Sequence, residues 1–216
     1  MGKLSGVIVP VTPFQQNCTI LFDEDTKDAV VIDPGGDIDN IVAAIDQSGV
    51  KVGAIWLTHG HIDHAAGAPA LKKRLGVEII GPHEDDSELL AALPVQAQMF
   101  GIPEKPEEVL PDRWLREGDT LRFGGHRFDV LHTPGHAPGH VVFVNREARF
   151  AHLGDVLFRG SIGRTDLPGG DHETLLASIR DKVLPLGDEV TFICGHGPGS
   201  SIGEERRTNP FITGMA

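Results

Sequence analysis

The sequence has no tyrosine, only two cysteines and no apolar run approaching the roughly 18 residues that a membrane-spanning helix needs. Cys18 and Cys194 each sit in a strand-like apolar stretch, and two thiols are too few for a disulfide framework. Buried free thiols are expected. The opening MGKLSGVIVP carries neither a long apolar segment nor a small-residue cleavage site, so a cytoplasmic enzyme away from any membrane is expected. Positive charge is also scarce: the net charge of -12 argues against a nucleic-acid surface. Nothing in 216 residues forces a second domain, and 40% hydrophobic with 23% charged residues suits one filled core over residues 1–216. The 27 glycines and 15 prolines indicate tight turns between short elements.

What the chain does have is histidine, crowded into THGHIDH at 58–64, where His59, His61, Asp63 and His64 fall within six positions. Neutral imidazole is the commonest protein metal ligand, and alternate positions let a loop aim side chains at one point from several directions. The apolar run at 52–57 reads as a buried strand, so the cluster lies where a strand gives way to a helix. Strand C-terminal ends are where α/β sheets place their chemistry.

From the N-terminus, 4–11, 17–22 and 29–32 read as strands of an antiparallel meander, separated by PFQQ and DEDTKD. Asp37 then precedes a helix with Ile38, Ile41, Val42 and Ile45 on one face, closed by Gly49. Strand 52–57, the histidine loop, a helix over 65–75 ending at Gly76, and a short strand at 78–80 follow. The pattern over 84–100 is helical, with Asp85, Asp86 and Glu88 near the positive end of its dipole and Pro94 as a break or kink. Pro103, Pro106 and Pro111 mark an irregular connection, and 120–123, 127–131, 141–144 and 150–153 form a second strand series spaced as hairpins. A helix to Lys182 from Asp171 or His172, a strand at 190–194 and a short helix at 202–206 complete the chain. Two β-then-α halves predict an α/β protein of two face-to-face mixed sheets with helices on both outer faces, an αββα sandwich.

Three more residues of ligand type follow predicted strands beside glycines: His136 in HTPGHAPGH, Asp155 in HLGDVLF and His196 in CGHGPG. Glycine lets the backbone bend closely around a compact centre. In order and type, HxHxDH with a later His, Asp and final His resembles the metallo-β-lactamase superfamily, over nearly the whole chain and with the same αββα fold. The resemblance implies that His59, His61 and His136 hold one metal, that Asp63, His64 and His196 hold a second, and that Asp155 bridges them. It implies two divalent ions, zinc first, with iron or manganese as alternatives for His and Asp ligands. Asp63 and Asp155, with a hydroxide between the ions, would form the catalytic group. Asp33 in VVIDPGG matches the superfamily's early Asp, which supports the site from outside the ligand set. His140, four positions after His136, matches the second His of the glyoxalase II motif. Among the other histidines, His83 and His172 are expected to start helices, His126 and His152 to lie at strand edges, and His132 to be structural.

Such a centre makes hydroxide available at neutral pH, because metal coordination lowers the pKa of water from 15.7 to about 7. A thiolate leaves without a general acid, its free pKa being about 8.5. TPGHAPGH, LFRGSIGRTDLPGGD and GHGPGSSIGEERRTNPF further resemble short bacterial relatives of glyoxalase II, which implies hydrolysis of S-D-lactoylglutathione or a related acyl-thiol. Arg164 falls at that family's glutathione-contacting basic position, and Arg206 is a further candidate for the substrate. The chain departs from full-length glyoxalase II in ending at residue 216, soon after His196, without the C-terminal helical domain, and in lacking every tyrosine. Thioester hydrolysis is therefore expected to hold better than the identity of the thiol. The alternatives are a mononuclear iron persulfide dioxygenase, a lactone or β-lactam hydrolase, and a noncatalytic metal-binding module. The expected partner is a small acyl-thiol, and the assembly a monomer or small homo-oligomer.

Overall fold

In the computed structural model, which describes residues 2–102 and 106–214, the chain forms two six-stranded sheets. Strand β1 (Leu4–Val11) alternates exposed and covered residues, as an edge strand with one wet face must. It pairs antiparallel with β2 (Gln16–Asp23), which pairs antiparallel with β3 (Asp28–Ile32), so the meander is present. Helix α1 (Ile38–Ser48) ends on Gly49 and returns the chain to β4 (Lys51–Trp56), parallel to β3.

The expected helix at 65–75 is two helices, α2 (Ile62–Ala65) and α3 (Ala68–Leu75). Extended backbone at His61, φ -75° and ψ 151°, makes that residue the N-cap of α2, so helix begins inside the histidine stretch. Strand β5 (Glu78–His83) follows, parallel to β4. The helical pattern at 84–100 divides into a 3-10 turn at Glu84–Asp86, α4 (Ser87–Ala91) and α5 (Leu93–Met99). The break falls at Ala92, and Pro94 lies in the first turn of α5, where a missing N–H leaves no bond unmade. Pro103 lies outside the described residues. Strand β6 (Arg113–Leu115), too short for periodicity to show, completes the sheet in the order β1-β2-β3-β4-β5-β6.

The second sheet contains β7 (Thr120–Phe123), β8 (His126–His132), β9 (Val141–Asn145) and β10 (Phe150–His152), successive neighbours paired antiparallel. Two two-residue strands, β11 (Leu157–Phe158) and β12 (Ser161–Ile162), make a small hairpin beyond it. Helix α6 (His172–Ser178) starts at Asp171, whose carboxylate accepts from Thr174 N. It widens into a π turn at Ile179–Val183 and tightens to 3-10 at Leu184–Leu186, in place of the single helix to Lys182 that the pattern predicts. Strand β13 (Thr191–Ile193) lies parallel to β10, and β14 (Ser200–Ser201), α7 (Ile202–Thr208) and α8 (Pro210–Thr213) end the described chain.

Three apolar clusters show the layers. Leu21, Val30, Ile32 and Trp56 of one sheet meet Leu121, Phe128, Val130 and Phe143 of the other. Trp56 packs at 5.4 Å from Phe128 and 5.2 Å from Phe143 between ring centroids. Ile41 and Ile45 of α1 and Leu71 of α3 cover the outer face of the first sheet, and Leu175 of α6 and Ile202 of α7 cover that of the second. The architecture is the αββα sandwich of two mixed sheets. Cys18 and Cys194 are free and buried. Among the described residues no helix is long and apolar enough to cross a membrane.

Candidate metal centre

Strands β3, β4, β8, β10 and β13 all run out at one rim, each followed by a residue of the proposed set: Asp33, His59, His136, Asp155 and His196. Because β4 stops at Trp56 and α2 starts at Ile62, His59 and His61 lie on irregular backbone, while Asp63 and His64 project from the first helical turn. His59 Nε2, His61 Nδ1 and His136 Nε2 converge, with His136 Nε2 at 2.9 Å from the His61 atom and 3.3 Å from the His59 atom. Asp63, His64 and His196 form a second group, in which His196 Nε2 stands 3.2 Å and His64 Nε2 3.8 Å from Asp63 Oδ2. Asp155 lies between the groups: Oδ1 is 3.4 Å from His64 Nε2, and Oδ2 is 3.6 Å from His136 Nε2 and 3.5 Å from His196 Nε2. A Cβ on Gly195 would overlap Asp155 Oδ1, so this approach requires glycine there.

Hydrogen bonds on the far side of the rings decide which nitrogens face inward. Thr58 Oγ1 donates to Asp33 Oδ2 at 2.6 Å, so it accepts from His59 Nδ1 at 2.9 Å, which leaves the His59 Nε2 lone pair free. Asp33 Oδ2 also accepts from His64 Nδ1 at 2.9 Å. His136 Nδ1 donates to the Arg164 carbonyl at 2.8 Å, and His196 Nδ1 to the Phe14 carbonyl at 3.3 Å. Each bond orients its ring and raises the basicity of the inward nitrogen. His140 acts one step away: its Nδ1 meets Thr133 Oγ1 at 3.2 Å, and its Nε2 accepts from Asp155 N at 3.0 Å, fixing the backbone of the central carboxylate.

Burial, then the neighbouring His64, holds His59 well below the usual histidine range, and burial with His136 brings His61 to about 3. Both are neutral lone-pair donors at pH 7. Burial alone would raise Asp155, yet His64, His136 and His196 hold it below the ordinary carboxylate range. Burial opposes charge on His64 too, but Asp155, Asp63 and Asp33 outweigh it and raise its pKa. His64 Nε2 and Asp155 Oδ1 are buried without a hydrogen-bond partner, beside three inward imidazole nitrogens that cannot all satisfy one another. Orphaned donors of this type around one point fit divalent cations.

Two residues that hold this arrangement escaped the sequence reading. Asp86, assigned there to a helix dipole, is fully buried and accepts from Gly60 N at 2.7 Å and from Gly139 N at 2.5 Å. Gly60 separates His59 from His61, and Gly139 precedes His140, so one carboxylate ties two ligand loops together. Burial pushes this carboxyl up to about 7, against the pull of the two N–H donors. Gln96 of α5 accepts from Ile62 N at 2.9 Å and donates to the Gly60 carbonyl at 3.1 Å. Neither lies next to a ligand in sequence, and only burial distinguishes them from ordinary helix residues.

The centre opens into a cleft of about 390 Å³, bordered by Phe14, Phe100, Phe158, Ile162, Leu167 and Arg164. Arg164 lies on this border with its guanidinium on Asp166, both bonds at 2.7 Å. Arg206 does not border it; its side chain is held by Asp188 at 2.8 Å and the Leu184 carbonyl at 2.6 Å. His83, Asp85 and His132 also cluster, but His132 Nε2 is 2.8 Å from the Pro138 carbonyl and His83 Nδ1 accepts from Asp85 N at 3.2 Å. A groove of about 590 Å³ beside α3 and β5, with Lys72 and Lys73 on its wall, contains no such donor cluster among the described residues.

A family model described as the metallo-beta-lactamase superfamily matches residues 11–196. The chain belongs to the metallo-β-lactamase superfamily. Within it, the chain is 50% identical over 206 residues to "hydroxyacylglutathione hydrolase GloC" of Haemophilus influenzae, covering 95% of this chain and 96% of that one. The crystal structure of "BLEG-1 B3 metallo-beta-lactamase" superposes with a TM-score of 0.89 at 37% identity, over 97% of this chain and 100% of that one. That of "TTHA1623 in a di-iron-bound form" gives 0.86 at 39%, over 95% and 99%. In this superfamily member, the His and Asp clusters at the rim are those suited to divalent metals.

Proposed function

We propose that the protein is a metal-dependent thioester hydrolase that cleaves S-D-lactoylglutathione, or a related acyl-thiol, to the acid and the free thiol. The observation that carries this is the position of Asp155, whose two oxygens face two separate donor groups within 3.4–3.6 Å. In this reading His59, His61 and His136 would hold one ion and Asp63, His64 and His196 the other, with Asp155 placed to serve both. When bound, the ions supply Lewis acidity and water ionised near neutral pH. The overall change is addition of water to the acyl carbon and cleavage of the C–S bond, giving a carboxylic acid and a thiol. The leaving sulfur needs no acid group, since a free thiol ionises at about pKa 8.5. Neither cysteine competes as nucleophile: burial pushes the Cys194 thiol up to about 12 and raises Cys18 well above its usual value. The 50% identity to a hydroxyacylglutathione hydrolase supports the thioester as substrate.

Metal analysis on the purified chain, paired with a thioester panel, tests the reading. Close to two ions per chain with thioester turnover is the expected result. One iron per chain with oxygen uptake on glutathione persulfide would replace it with a dioxygenase. The likeness to a B3 metallo-β-lactamase supports one further arm, ring opening of a β-lactam at the same centre. Arg164 is the proposed contact for a carboxylate of the thiol. Its pair with Asp166 is largely exposed and weak in water, so a substrate carboxylate can exchange with it. Arg164→Ala is expected to raise KM more than it lowers kcat, and an unchanged KM would remove it as a contact.

A further inference from the structure

The cleft has two chemically different ends. At the end formed by His136, the Arg164 carbonyl accepts from the ring and the Arg164 guanidinium stands at the border. The end formed by His196 is aromatic. Phe14 accepts from His196 Nδ1 through its carbonyl, its ring meets Phe100 edge-on at 5.6 Å and 80°, and Phe158 stands edge-on to the His196 ring at 6.2 Å and 73°. Phe14 and Phe100 remain 38% and 36% exposed, so large apolar faces are wet above a polar centre.

The backbone that carries Phe14 is fixed before anything binds. Phe14 lies in a turn closed by Gln15 N on the Thr12 carbonyl at 3.1 Å and anchored by Thr12 N on Asp37 Oδ2 at 2.7 Å. Asn17 ties the same segment to the His196 loop, donating to the Cys194 carbonyl at 2.9 Å and the Gly197 carbonyl at 2.8 Å. A preorganised apolar wall gives its burial energy to a ligand with little ordering cost. A lactoyl group, with one methyl, leaves most of that wall in water.

Building on the thioester reading, we propose that the cleft selects its substrate by an apolar, ring-sized acyl group seated on Phe14, Phe100 and Phe158 at the His196 end, with the anionic thiol carrier directed towards Arg164. Selectivity then resides in the acyl half of the thioester. The reaction is unchanged: water adds to the acyl carbon, the C–S bond breaks, and acid and thiol are released.

A matched pair tests this. S-lactoylglutathione and S-mandeloylglutathione share the 2-hydroxy acid head and the leaving thiol, and differ in methyl against phenyl. With the metal-loaded enzyme, kcat/KM should favour mandeloyl at least about tenfold, the scale of one well-filled apolar site. Phe14→Ala should lower that ratio about tenfold, and Phe14→Leu, which keeps an apolar side chain at the turn, by less. Phe211→Ala, at an exposed phenylalanine away from the cleft, should leave the ratio unchanged. Turnover of both thioesters with a ratio of one or below overturns the proposal while leaving thioester hydrolysis standing, as does a ratio unmoved in either Phe14 variant. Failure to cleave either thioester removes glutathione thioesters as the substrates, and the acyl site proposed for them with it.

Discussion

Asp155→Ala is expected to lower thioester turnover at least about a thousandfold, because the metal centre's stabilisation of developing charge is worth several kcal/mol and needs both donor groups held together. Metal content should fall from two ions per chain to one or none. The backbone at this position does not depend on the side chain. Asp155 N is held by His140 Nε2 at 3.0 Å, Leu153 N by the Ile193 carbonyl at 2.9 Å, and Gly195 N by the Gly154 carbonyl at 2.8 Å. The far-ultraviolet dichroism should therefore match the wild type. Asp155→Asn preserves the shape and removes the charge, and it should also lose metal, since an amide N–H₂ turned towards His64 or His136 opposes a cation. His59→Ala, which deletes one of three converging nitrogens, is expected to act in the same direction. Full turnover with two bound ions in Asp155→Ala would refute the assignment of this carboxylate to both groups.

Strands of four or more residues with apolar runs, such as Thr120–Phe123 and Val141–Asn145, were legible because burial imposes its pattern directly on them. Arg113–Leu115, Leu157–Phe158 and Ser200–Ser201 were not, since two or three residues carry no measurable period and pair only because their neighbours are in place. The 65–75 helix begins early, at Ile62, because His61 is extended, and it divides at Ala66–Gly67 ahead of Pro69 in the first turn of α3, a break that apolar periodicity alone does not register. At the site, His59, His61, His136, Asp155 and His196 were readable as candidate ligands because each follows a strand and adjoins a glycine, and Asp63 and His64 because they complete the histidine cluster. The residues that brace them act largely through backbone groups far apart in sequence. Asp86, Gln96 and the Phe14 carbonyl reach Gly60, Ile62 and His196 only once the chain is folded.

Asp86→Ala tests that bracing directly. It would leave Gly60 N and Gly139 N without partners in a buried position, at about 1–3 kcal/mol each, or about 2–6 kcal/mol together. The His59–His61 loop and the loop before His140 would then move independently, and metal affinity should fall roughly ten- to hundredfold, the range for partners that orient ligands. Asp86→Asn should behave more like Ala than like the wild type, since its single carbonyl can accept one N–H while its amide opposes the other. The variants also differ from the wild type in pH response. With its carboxyl pushed up to about 7 by burial, Asp86 contributes stability that is fully present below the ordinary carboxyl range and is lost as pH rises through about 7. The Tm difference between wild type and Asp86→Asn, measured on metal-free protein, should therefore be larger at pH 5.5 than at pH 8. A metal titration in which Asp86→Ala binds both ions as tightly as the wild type would show that the two loops hold their ligands without it.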